Sequence, residues 1–130
     1  MEELKLAIKK MKTKGDRESV LLFLQEVMKL LPPSDDYGVN LVRKGVHEYV
    51  LDRKGVIIIS LSEDEYLPFF SAAQKRIDLD KIPDEIIKEI KLKWKEILDQ
   101  IRDYALEYSK FDKKYLKIAD EINNVLFENL

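Results

Sequence analysis

The sequence predicts a mostly α-helical fold with a small antiparallel β-hairpin or three-stranded meander in its middle. Three observations carry that expectation. Arg17–Leu31 carries apolar residues on nearly every side of a helix and is closed by Pro32-Pro33. Two runs of β-forming residues flank Asp52-Arg53-Lys54-Gly55. From Asp84 to Leu130 there is neither Gly nor Pro, and apolar residues recur every seven positions. The expected order is an N-terminal helical pair, a central hairpin and a long C-terminal heptad-patterned helix.

Met1–Lys14 reads as a short amphipathic helix, with Leu4, Ile8 and Met11 at helical spacing among lysines. Gly15 suits its C-terminal stop, because glycine takes the left-handed conformation without a Cβ clash. Asp16 is then an N-cap for a second helix, Arg17–Leu31. Val20 to Leu24, Val27, Met28, Leu30 and Leu31 leave that helix almost no polar face, which predicts a central, buried position. The two prolines end it, since neither donates a backbone hydrogen bond.

Asn40–Val46 and Val50–Val56 align at a spacing of ten residues, each carrying Arg-Lys-Gly between β-formers. Asp52–Gly55 suits a hairpin loop, so strands are expected at Val46–Leu51 and Val56–Leu61. Residues 37–43 fit either a third strand of a meander or a short helix begun at Ser34 or Asp35. Val56–Ile59 is apolar on both faces, which predicts that strand Val56–Leu61 is covered on both faces or meets another chain with one of them, and that its outer edge is paired or capped by an adjacent segment or a second subunit. Ser62-Glu63-Asp64-Glu65 has the form of a capping box, so a helix is expected from Glu63 to about Arg76, bent or restarted at Pro68. Asp78–Ile82 reads as a linker, and Pro83 as a helix opener.

Ile87, Trp94, Ile101, Tyr108, Tyr115 and Ile122 repeat every seven residues, and Ile90, Ile97, Tyr104, Phe111, Ile118 and Val125 repeat three positions further on. An a/d seam of this length favours one continuous helix. The alternative is a helical hairpin broken near 109–112, where Asp112 would cap a new helix. A continuous helix would run roughly 65–70 Å at 1.5 Å per residue. A domain of this size has a radius of gyration of about 14 Å. Part of the seam would then need a partner chain. Ile87, Ile90, Trp94, Ile97, Ile101, Tyr104, Tyr108 and Phe111 are the expected self-association or partner residues.

Composition bounds the function. The 130 residues suit a single domain, 1–130, with helices and hairpin over 1–61 and a helical self-association segment over 62–130. There is no Cys and one His, His47, so a disulfide framework, a thiolate metal site and a two-histidine site within one chain are excluded. Abundant Lys, Glu and Ile with scarce Gln give the chain a thermophile-like, archaeal-like composition. No stretch resembles a signal peptide and the longest apolar run, Val56–Ile59, is too short for a bilayer, so a cytoplasmic, membrane-free protein is expected.

No constellation reads as catalytic. Asp52-x-Lys54 lies in a turn, His47 and Glu48 point to opposite faces of a strand, and the four glycines are isolated. Asp78, Asp80, Asp84 and Glu85 lack the spacing of a calcium loop. The expectation is a non-enzymatic protein with no cofactor or metal, acting as a homo-oligomer or on a protein partner.

A second reading starts from the basic turns Arg43-Lys44 and Arg53-Lys54. Helix, proline-containing turn, short segment and basic-tipped hairpin resemble, in their order over 17–61, a winged helix-turn-helix. The resemblance implies a DNA-binding transcriptional regulator with Asp35–Lys44 as recognition helix and Val46–Leu61 as wing. Arg43, Lys44, Arg53 and Lys54 would then contact nucleic acid, and the C-terminal helix would dimerise. Asp35 and Asp36 would open that recognition helix with charges that phosphates repel, and the net charge is −2.

Overall fold

Gly15, at φ +63°, turns the chain between α1 (Glu2–Thr13) and α2 (Arg17–Met28). The Asp16 carboxylate accepts from the Ser19 amide at 3.0 Å and caps α2 as its sequence requires. In the computed structural model, which describes residues 1–63 and 70–128, α1 buries Leu4, Ala7, Ile8 and Met11. The second helix is shorter and more peripheral than its apolar composition predicts. It buries Ser19, Val20, Phe23, Leu24 and Val27, while Leu21, Leu22 and Met28 are half-buried and Gln25 is exposed. Lys29–Leu31 form turns, not helix, ahead of the two prolines.

The chain then builds an antiparallel sheet of four strands in the order β1-β2-β3-β4: β1 (Val39–Lys44), β2 (His47–Asp52), β3 (Gly55–Glu63) and β4 (Phe70–Ile77). Residues 39–44 are therefore strand, which resolves the meander-or-helix alternative. The two Arg-Lys-Gly repeats form different turns. In the first, Lys44 faces His47 and Gly45 lies inside the loop at φ +62°. In the second, Arg53 and Lys54 are the loop and Gly55 closes it opposite Asp52. β1 carries a bulge at Leu41.

The helix expected over 63–76 is corrected. Residues 70–77 are a strand whose register runs from Glu63↔Phe70 to Val56↔Ile77. Ser62 and Glu63 belong to β3. Asp64, Glu65 and Pro68, which carried the rest of that expectation, lie outside the described residues. The segment from 62 onward is thus not wholly helical.

The continuous C-terminal helix is also corrected. After a 3-10 turn at Leu79–Lys81 come α3 (Asp84–Leu92), α4 (Trp94–Tyr108) and α5 (Lys114–Phe127). The first break is a single residue, Lys93, at φ −109° and ψ 15°. The second lies at 109–113, where the Asp112 carboxylate accepts from the Lys114 amide at 3.1 Å, in line with the hairpin alternative.

One face of the sheet presents Val39, Val42, Tyr49, Leu51 and Val56 to the helices, and they join a buried cluster that extends from Leu4 to Val125. A mostly α-helical fold with a small antiparallel sheet stands; among the described residues the sheet has four strands. Among the described residues, no helix is long and apolar enough to cross a membrane.

Candidate interaction surfaces

Turning the seam across three helices folds it onto the chain itself. Ile87, Ile90, Trp94, Ile97 and Ile101 are all buried in the intramolecular core. Lys12 and Lys95 each place an ammonium within 6 Å of the Trp94 ring centre, at 5.9 and 5.5 Å. The long-helix argument for a partner along this stretch therefore lapses. Between Ile101 and Tyr115, at the turn from α4 to α5, the seam changes character, before Tyr115, Ile122 and Val125 are buried again. Tyr104 and Tyr108 are half-buried, and Phe111 is 78% exposed.

These three belong to an aromatic cluster at the end where α4 turns into α5. Tyr37 packs edge-on against Tyr104 at 5.1 Å and Tyr108 at 6.0 Å, and Tyr108 meets Tyr115 at 4.9 Å and Phe111 at 5.6 Å. Tyr104 Oη donates to the Gly38 carbonyl at 2.7 Å. Burial, and then the Glu107 charge, raise the Tyr37 and Tyr104 hydroxyls above the ordinary phenol range; burial followed by Tyr108 raises Tyr115. All these shifts keep the hydroxyls neutral. Phe111 is the rim of the cluster. Leu106, in the last turns of α4, and Leu116, in the first turn of α5, are 45% and 48% exposed. Tyr37 is the member that sequence reading missed, since it sits outside any periodic segment.

Three of the four basic turn residues already have carboxylates. Lys44 Nζ lies 2.9 Å from Glu85, and this bond, with the charge behind it, raises the lysine above its ordinary value. Arg53 Nε and Lys54 Nζ both reach Asp35, at 3.1 and 3.6 Å. Arg43 is exposed. The recognition helix expected at 35–44 is corrected, because β1 occupies most of that segment. The acidic residues have structural partners too: Arg17 Nη1 meets Asp84 at 3.0 Å and its Nη2 donates to the Asp80 carbonyl, tying the start of α2 to the start of α3. Among the described residues there is no group of three candidate metal ligands.

Two pairs were hidden in the sequence. Asp52 accepts from both guanidinium nitrogens of Arg76, at 2.9 and 2.7 Å, and from the Lys54 amide at 2.9 Å. The Arg76 bonds dominate and hold its carboxyl below the ordinary range against the opposing effect of burial. His47 Nδ1 stands 2.8 Å from Ser60 Oγ, directly across β2 and β3. Among the described residues no carboxylate orients that ring, and the pair sits on an exposed strand end, so the contact lacks the supporting group that activates a serine.

No known protein family matches the chain, and neither a curated protein nor a solved structure does.

Proposed function

We propose that this chain is a non-enzymatic, cytoplasmic interaction protein that self-associates through the α4–α5 end of its helical layer. The observation that carries the reading is Phe111: a large apolar ring, 78% exposed, seated on a packed aromatic cluster through Tyr108, 5.6 Å away. An aromatic anchor on a preordered platform loses little conformational freedom on docking, which is the character of interface hot spots. Grouping of apolar side chains, rather than single exposure, marks interaction surfaces.

Sedimentation velocity across the micromolar range tests this. The wild type is expected to associate, and Phe111→Asp to lower its average mass while circular dichroism stays unchanged. A wild type that is monomeric throughout, or an unchanged mass in Phe111→Asp, overturns the reading.

A further inference from the structure

The ends of α1 and α3 bring lysines of distant sequence together. The Lys12 and Lys95 ammoniums share the Trp94 ring. The Lys91 side chain lies across Gly15, one turn on from Lys12, so closely that a Cβ there would come within 2.8 Å of its Cε. Lys88 stands one turn before Leu92 on the same face of α3. Among the described residues none of these four lysines forms an ion pair. The carboxylates nearby are engaged elsewhere: Asp84 holds Arg17, Glu85 holds Lys44 and Asp99 holds Arg102. Glu96 opens onto a cleft with Arg43 and Glu48 of the sheet, and Lys10 and Lys14 share another cleft with Asp16 and Glu18. The four remaining ammoniums repel one another, and the C-terminal dipoles of α1 and α3 offset only part of that repulsion.

We propose that this corner adsorbs to an anionic lipid surface, with Leu92 entering the headgroup layer and Lys12, Lys88, Lys91 and Lys95 facing the lipid phosphates. Charge complementarity calls for a polyanion, since unpaired cations grouped within about a Debye length act on it together. Leu92 selects the kind. It is 81% exposed, follows Lys91 directly and ends α3 just before the break at Lys93. An apolar tip standing out from a helix break suits a soft planar surface, which admits the tip while flexible lysine stems reach the phosphates around it. A duplex offers phosphates but leaves Leu92 in water, and an acidic peptide docks in a groove or along a strand edge rather than on a projecting side chain. Lysine, a compact charge, suits a diffuse anionic layer, where arginine would mark bidentate recognition. Lying on a bilayer needs none of the length that crossing one does. The surface is separate from that of Phe111, near the other end of α4, and does not depend on self-association.

Co-sedimentation of the full chain with phosphatidylcholine vesicles, plain or carrying about 30% phosphatidylserine, tests this. The serine lipid is expected to raise binding at least about tenfold at about 50 mM salt, and about 500 mM salt to remove the difference. Lys12→Gln, Lys91→Gln and Lys95→Gln combined should lower affinity for the anionic vesicles at least about tenfold. Lys110→Gln, Lys113→Gln and Lys117→Gln combined change the net charge equally at exposed positions and should lower it less than about threefold. Lys88→Gln and Leu92→Gln, on the exposed face of α3, test the corner without touching the core. The first should weaken binding about two- to fivefold at low salt, the second about three- to fivefold with circular dichroism unchanged. Equal binding to both vesicle types, or equal losses in the two triple variants, overturns the proposal. So does binding that survives Leu92→Gln and is displaced by random-sequence duplex or polyglutamate, which would assign the lysines to a different polyanion.

Discussion

Asp52 shows how one residue can have a local role and a distant one. Its carboxylate shapes the β2–β3 turn through the Lys54 amide, a role its place before Arg-Lys-Gly made legible. Its second role, gripping Arg76 from two strands away, depended on β4 being a strand. The Asp52 side chain is only 8% exposed and that of Arg76 43%, so the ion pair is screened from one side. Removing the guanidinium leaves a nearly buried carboxylate with only backbone amides of the turn, those of Lys54 and Gly55, as partners among the described residues. Arg76→Ala is expected to cost about 1–3 kcal/mol in urea unfolding, and Arg76→Lys to recover only part of it, since an ammonium cannot make the paired contact. The sign with pH follows from the lowered carboxyl. Its folded value lies below its unfolded one, so this stabilisation is complete above the ordinary carboxylate range and is lost as pH falls through the folded value. The wild type should therefore lose stability more steeply than Arg76→Ala as pH drops below about 4. Parallel stability–pH curves for the two proteins would refute the assignment.

At the scale of elements, the cap that Gln100 places on Asn40 at the edge of β1 is open to the same kind of test: the Asn40 amide donates to Gln100 Oε1 and Gln100 Nε2 donates to the Asn40 carbonyl, both at 2.9 Å. Gln100 contributes one donor and one acceptor to a single residue of the strand edge. Gln100→Ala should cost about 1 kcal/mol, given partial exposure and two neutral hydrogen bonds. Gln100→Glu should be no better, because a second carboxylate oxygen would face the Asn40 carbonyl where a donor is needed. Faster hydrogen exchange at the Asn40 amide in both variants checks the mechanism; unchanged exchange would show that the clamp contributes little. Elements with strong local signals were legible: the Gly15 stop, the Asp16 cap, the β2–β3 hairpin and the covered edge of β3, which β4 pairs. Two elements were not. Ala72-Ala73-Gln74-Lys75-Arg76 consists of good helix formers, and only pairing with the apolar β3 makes a strand of it. The heptad from Ile87 to Val125 was read correctly as an apolar stripe and incorrectly as one helix. Three successive helices that face one core keep the same stripe, and the breaks at Lys93 and 109–113 need no Gly or Pro. Of the eight seam residues expected to meet a partner, Ile87 to Ile101 are core, and Tyr104, Tyr108 and Phe111 at the α4–α5 turn form the candidate site, a division that burial alone reveals.

At the scale of the whole molecule, the charges bear on both functional readings. A winged-helix regulator needs a helix to enter the major groove and free cations to replace the counterions of the phosphates. Here most of the would-be recognition segment is the edge strand β1, capped at Asn40 by Gln100, and Lys44, Arg53 and Lys54 each face a carboxylate of their own chain. Duplex binding would require breaking those pairs and bringing Asp35, which both Arg53 and Lys54 hold at the hairpin turn, toward phosphate. With a net charge of −2 the long-range field gives no compensating attraction. A gel shift with random-sequence duplex is therefore expected to show no complex even at about 50 mM salt, where non-specific binding is strongest. If a complex forms and its affinity falls steeply with salt, the number of phosphates neutralised follows from the slope, roughly 0.9 per contact. A slope of about three or more, lost together with binding in an Arg43→Ala, Lys44→Ala, Arg53→Ala, Lys54→Ala variant, would establish a nucleic-acid surface on the hairpin turns. No shift, with concentration-dependent mass in the same buffer, is the outcome the charge arrangement predicts.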